Sequence, residues 1–459
     1  MSKPVQTVDK TAQFGEDNIM SLMIRYSMPS IAAMLAFTMF NLINMAFVGR
    51  SVGPLGIAAI AICMPITMIQ GALNQFISNG CSAAVAIKLG EGDRSDAQTI
   101  LGCSMFTSVL IAAVNMAVGL LFMNPLLEVF GASEMVMPYA KDYLTISLAG
   151  MVFSTFGTMN PMLRIEGYPQ QAMGTMLLMT LMNFALTPLF IFVFDMGIKG
   201  AAYGSLFAQI AMSVWILLFL TQKKRTVRLE WKYCRIKFKT LLFVMELGLP
   251  TFLMQFTQSL LSVVMNTSLG TYGGDIAISA WGVTNNINSV IAQPVFGLNQ
   301  GVQPIVGYNF GAKNYMRVKQ TLIYSLGGAT VFSFVGWAVI LLFARPIFAF
   351  FNSDPELIAV GSRMLVIFRA CIFVVGFQQA GAAYFQFIGK PITSIFLTVS
   401  RQVLILIPCL LILPQIFQFD GILYSGPVSD IASTILTAVY IMFEMQRMNR
   451  LIQGKETIS

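Results

Sequence analysis

Residues 164–170 read "RIEGYPQ" and residues 386–392 read "QFIGKPI". In each, a glycine is followed two residues later by a proline. Glycine tolerates a left-handed backbone, while proline fixes φ and removes a donor, so the pair marks a sharp turn. The two stretches lie 222 residues apart, and the likeness runs upstream. At an offset of 221, Pro29 meets Pro250, Gly49 meets Gly270, Gly53 meets Gly274 and Ala59 meets Ala280. Gly80 then meets Gly301, Gly90 meets Gly311, Pro125 meets Pro346 and Phe130 meets Phe351, with one residue inserted before the turn. Scattered matches between glycines do not hold one offset over a hundred residues. The chain is read as a tandem repeat with the same bends in both halves.

Composition says what solvent the repeat lives in. Of 459 residues, 56% are hydrophobic and 10% charged, against roughly 25% charged in soluble domains. Apolar runs long enough to cross a hydrocarbon core of about 30 Å are read at 20–48, 55–80, 98–123, 138–162, 170–194 and 198–221. The second half repeats them at 241–269, 276–306, 318–343, 359–388, 392–414 and 428–447. The expected fold is an all-α membrane protein of twelve transmembrane helices, arranged as two six-helix bundles related by the internal repeat. Six is even, so both halves enter the bilayer in the same direction, a parallel-repeat transporter architecture.

Lysine and arginine orient the chain. The segments on one side hold most of them, including eight between 223 and 239, while the other side holds Arg50, Lys141, Lys199, Arg345 and Arg363. By the positive-inside rule both termini are cytoplasmic. The expected parts are a cytoplasmic tail at 1–19, bundles at 20–221 and 241–447, a basic cytoplasmic linker at 222–240 and a tail at 448–459. The linker "QKKRTVRLEWKYCRIKFK" sits between spans, which points to anionic membrane lipids as its partner and not to nucleic acid. The first seventeen residues lack the apolar core and cleavage site of a signal peptide. The chain has no histidine, which excludes histidine-ligated zinc or haem and a histidine proton relay. Six widely spaced cysteines without a CxxC pair support no disulfide framework.

Polar groups inside the spans are the candidate site. The deep charges are Arg369 and Arg401, read as structural arginines paired with an acid such as Asp430, or as groups that hold an anionic substrate or repel cations. Acids are expected only near span ends, at Asp142, Glu246, Asp430 and Glu444. Neutral candidates for a substrate or cation pocket are Asn41, Asn44, Asn183, Thr187, Gln258, Asn299, Gln378 and Gln379, each of which also suits plain helix–helix hydrogen bonding. Carbonyl and hydroxyl oxygens accept sodium, whereas proton coupling needs a titratable group. A proton-coupled protein would therefore rely on a displaced acid, Asp142 or Asp430.

With these residues in view, the chain resembles the multidrug and toxic compound extrusion (MATE) transporters, most nearly their MepA-like bacterial branch. The resemblance is carried by "FNLINMAFVGR", "ISNGCSAAVAIKLGEGD", "RIEGYPQQAMGT" and "MNFALTPLFIFVFDMGIKGAAYG" in the first half. In the second half it is carried by "GLPTFLMQFTQSL", "QPVFGLNQGVQPIVGYNFGAKNYMRVKQT", "YFQFIGKPITSI" and "SRQVLILIP". It implies a multi-pass protein of the bacterial inner membrane that exports amphipathic organic compounds by alternating access. It further implies no cofactor and a coupling ion that is Na+ or H+, and a monomer is expected. Many bacterial relatives carry aspartates at the positions of Asn44 and Thr187, and one branch a glutamate at Gln258, so this chain keeps the pattern without its acids. A lipid-linked oligosaccharide or lipid flippase of the same superfamily is the alternative. An intramembrane enzyme would need an HExxH site, a serine nucleophile motif or an aspartate pair within the spans, and the chain has no histidine and no deep acid pair.

Overall fold

The computed structural model describes residues 10–222, 225–351 and 354–454, with the side chains of 39–54 and 57 outside the described set. Among the described residues all regular structure is helical. Nine helices among the described residues are long and apolar enough to cross a membrane, and the bent pair Pro355–Phe368 and Ile372–Phe387 makes a tenth. Phe238–Gly311 holds two crossings, because Gly274 (φ 65°, ψ −167°) leaves the helical region within it. Met137–Gly157, with 21 residues, spans about 30 Å and completes the twelve.

The repeated turn is real in both halves. Gly167 has φ 89° and Gly389 φ 75°. Tyr168 N donates to Leu163 O and Lys390 N to Phe385 O, each at 2.8 Å. These are the six-to-one bonds of a helix that ends on a left-handed glycine. Pro169 and Pro391 then open the next helices, where a missing N–H costs nothing. Gly90 and Gly311, also repeat partners, are the last residues of the helices Ile19–Gly90 and Phe238–Gly311.

Two compact units form, and each draws a short segment from the other half of the sequence. One unit is Met1–Glu16 with Ala32–Gly248, and the other is Asp17–Ile31 with Leu249–Ser459. In the first, a Cβ on Gly248 would run into the Phe76 carbonyl and one on Gly80 into Val244 O. In the second, a Cβ on Gly301 would lie 2.6 Å from Ser27 Cα, and one on Gly297 2.6 Å from Ile31 Cα. Gly80 and Gly301 are repeat partners, as are Ser27 and Gly248, so the same backbone-to-backbone crossing is built twice. Close approach through small residues is how helices associate when lipid is as apolar as their side chains.

Each unit has its own apolar core. Ala59, Cys63, Leu127, Leu144 and Leu148 pack together in the first, and Met265, Leu269, Ile340, Phe348 and Phe368 in the second. Large apolar side chains such as Leu121, Leu342 and Phe443 are well exposed, as expected of a lipid-facing surface. Cys63, Cys81 and Cys103 are buried, and all six cysteines are free thiols.

Four spans differ from the sequence expectation. The segment read as 359–388 is broken at Arg369–Cys371 with a bend of 51°. Trp337 Nε1 donates to Ala370 O at 2.8 Å, satisfying a carbonyl that the break frees. The segments read as 170–194 and 392–414 contain π-helical turns at Leu189–Val193 and Ser400–Leu406. Pro188 directly precedes the first, and Pro408 lies two residues beyond the second, where the wider turn relieves the clash of its ring with the carbonyl four residues back. The last span, read as 428–447, belongs to a helix that begins at Phe419 and runs to Ile452, with Pro427 inside it. Asp430 therefore lies eleven residues into its helix and 2% exposed, which corrects its expected place near a span end.

Candidate functional site

In the first unit, helix Pro169–Pro188 and helix Gly197–Leu220 meet at a small polar network. Thr187 Oγ1 donates to Asn183 Oδ1 at 2.6 Å, and Asn183 Nδ2 donates to Ser205 Oγ at 3.1 Å. Asn183 and Thr187 are four residues apart and so share a helix face. Both are buried. The helices approach closely because Gly204 has no side chain: a Cβ there would lie 2.9 Å from the Thr187 backbone. The network consists of two hydroxyls and one carboxamide, so it offers neutral oxygens and no titratable group. Asn41 and Asn44, expected beside it, lie outside the described side chains.

In the second unit one deep arginine, Arg401, is paired with an acid and the other, Arg369, lies near that pair. Arg401 donates to Asp430 Oδ1 from Nε at 3.2 Å and from Nη2 at 3.0 Å. Arg401 is placed by the π-helical turn, and Ser429 Oγ donates to its carbonyl at 2.8 Å. Asp430 is thus the ion-pair partner of Arg401. Arg369 caps the C-terminal end of Pro355–Phe368, where the helix dipole favours a cation. Its guanidinium lies over the Phe368 ring, 5.0 Å from the centroid, within electrostatic reach of Asp430 and Arg401. Arg369 Nε and Asp430 Oδ2 are both buried without a hydrogen-bond partner among the described residues.

The remaining candidates separate. Gln378 is buried and its amide donates to Leu397 O at 3.0 Å, which is helix–helix bonding. Gln379 and Asn299 are half-buried, and Asn299 Oδ1 has no partner among the described residues. Gln258 is exposed. No hydrogen bond among the described residues joins these four to one another. Asp142 forms an ion pair with Lys199 at 3.2 Å, both side chains about half exposed. Among the described residues no cluster of three or more Cys, Asp and Glu is arranged to hold a metal ion, a test that does not address neutral oxygen ligands.

Sequence reasoning missed Ser205, Gly204 and Ser429, which carry no signal beyond being small. It also missed a buried network at the end of Met137–Gly157. There Arg164 Nη1 donates to Asn160 Oδ1 at 3.0 Å, and Asn160 Nδ2 donates to Ala172 O at 2.8 Å and Thr175 Oγ1 at 2.6 Å. Burial pushes the Arg164 guanidinium down to about 10. Next to it, the buried Glu166 carboxylate accepts the backbone N–H groups of Thr226 and Val227, at 3.1 and 2.6 Å. These residues anchor the start of the basic linker.

Comparison with known proteins agrees with this architecture. The MatE family profile matches the chain twice, over residues 29–189 and 250–411. Its starts are 221 residues apart and its ends 222, which reproduces both the repeat and its single inserted residue. The multidrug export protein MepA of Staphylococcus haemolyticus is 23% identical over 446 residues, 97% of each chain. MepA of Staphylococcus aureus strain NCTC 8325 is 22% identical over 431 residues, 94% of this chain and 95% of that one. Among solved structures, an outward-facing multidrug resistance MATE transporter of the MOP superfamily superposes with a TM-score of 0.90 at 23% identity, covering 98% of this chain and all of that one. A MOP superfamily transporter from Pyrococcus furiosus, reported with reversed polarity of its binding pocket, superposes with 0.89 at 23% identity over the same shares. With both halves matched, the chain belongs to the MatE family of multi-pass membrane transporters, the multidrug export family, and is not an enzyme.

Proposed function

We propose that the chain is a secondary active exporter that moves amphipathic organic compounds out of the cell by alternating access, with both termini in the cytoplasm of a bacterial inner membrane. The observation that carries this reading is end-to-end alignment with multidrug export proteins across both repeated halves. Transport is driven by an inward gradient of sodium or protons, and sodium is the better fit. The Asn183–Thr187–Ser205 network supports it, since neutral oxygens accept a sodium ion and cannot carry a proton. The two displaced acids support it as well, because each is already engaged by a cation, Asp142 by Lys199 and Asp430 by Arg401.

Efflux of an amphipathic dye from proteoliposomes, with sodium and proton gradients imposed separately, tests the reading. The expected result is movement under the sodium gradient. No movement of any amphipathic dye under either gradient overturns the exporter reading, and movement under the proton gradient alone overturns the choice of sodium. Asn44→Asp restores the acid that many relatives carry and is expected to add proton dependence. An unchanged pH profile in the folded variant would count against a coupling role for position 44.

A further inference from the structure

One cluster in the second unit, Arg369, Arg401 and Asp430, holds more positive than negative charge. Arg369 is 7% exposed and Asp430 2%, and the Arg401 side chain is 15% exposed. Two guanidinium groups and one carboxylate leave a net charge of +1 deep in spanning segments. Asp430 spends one oxygen on Arg401, and among the described residues no carboxylate lies within ion-pair distance of Arg369. An unmatched charge at this depth is unfavourable, and the helix C-terminus and Phe368 ring offset only part of that. A cation placed here would be repelled by two guanidinium groups, and a proton on Asp430 would raise the cluster to +2. A singly charged anion would bring it to neutrality, with the forked donors of Arg369 free to bind two oxygens. The break at Arg369–Cys371 leaves this side chain on non-helical backbone between two helices, where it can reorient without unwinding either.

From this we propose that Arg369, Arg401 and Asp430 form a recognition site for one oxyanion, a carboxylate or sulfonate, carried as the head group of an amphipathic organic solute. The inference rests on the export reading and narrows it: substrates of this chain include monoanionic amphiphiles. Asp430 sets the affinity by holding Arg401 and limiting the net charge, while Arg369 supplies the free donors.

The test uses the purified full-length chain in detergent and binding, not transport, so its outcome is separable from that of the efflux assay. The probes are pyrenebutyrate and its methyl ester, read by quenching of tryptophan emission, since Trp337 is bonded to Ala370 beside the site. The carboxylate is expected to bind at least tenfold tighter than the ester. Arg369→Gln should abolish that preference, Arg369→Lys should keep it within about threefold, and Asp430→Asn should strengthen carboxylate binding. A purely structural triad would lose stability in both the Gln and Asn variants and would not shift affinity in opposite directions. Equal binding of acid and ester by the wild-type chain overturns the proposal and needs no variant to fold. So does a preference that survives in a folded Arg369→Gln protein. Displacement of pyrenebutyrate by millimolar chloride or phosphate, or by phosphatidylglycerol, overturns it in favour of a free ion or a lipid head group.

Discussion

Thr187 shows how much one hydroxyl decides. Its proton goes to Asn183 Oδ1, which fixes the amide so that its N–H points to Ser205. Thr187→Val keeps the shape and removes the donor, leaving a buried carbonyl oxygen short of one bond at a cost of about 1–3 kcal/mol. The expected outcome is a lower melting temperature in detergent, with Thr187→Ser closer to the parent. Gly204→Ala should be at least as damaging, because the new methyl meets the Thr187 backbone, which cannot rotate away as a side chain can. Gly174→Ala, in the helix that carries Thr187, meets nothing within 4 Å and should change the melting temperature little. Asn183 and Thr187 were legible as partners, since four residues in "NFALT" place them on one helix face. Ser205 was not, because its partnership depends on which face of a second helix comes near, and a glycine–serine pair in an apolar run says nothing about that.

At the scale of elements, glycine and proline carry nearly all the legible information. Gly389 ends a helix at φ 75°, a conformation that costs an L-residue roughly 1–2 kcal/mol. Gly389→Ala should therefore lower the melting temperature, and Gly167→Ala should do so more strongly, since its Cβ would also press on Lys10 and Gln13. Gly282→Ala, in open helical space, is the matched control. The break at Arg369–Cys371 was not legible, because no glycine or proline marks it. What holds it is tertiary: Trp337 satisfies the Ala370 carbonyl, and Gly426 lets its helix pass against Phe368 O. The early start of the last helix was hidden for the opposite reason. "FDGILYSGPV" reads as a turn in water, yet in lipid a helix keeps its backbone bonded even with Pro427 inside it.

At the scale of the whole molecule, orientation follows from parity and charge together. Twelve crossings return the chain to the side on which it began, and the basic linker after the sixth crossing lies on that side too. Trp231, in the linker, is 94% exposed, and Glu134, between the third and fourth crossings, is exposed as well. Parity puts these two positions on opposite faces of the membrane, so single cysteines there report orientation without reliance on either terminus. Cys234 in the linker would first be replaced by serine, while Cys63, Cys81 and Cys103 are buried. On intact cells a membrane-impermeant maleimide should label Glu134→Cys, and should label Trp231→Cys only after permeabilisation. The reverse pattern would mean that the positive-inside assignment is inverted. Labelling of both positions in intact cells would mean that the crossing count between them is even rather than odd, and would break the six-helix repeat on which the reading of the chain rests.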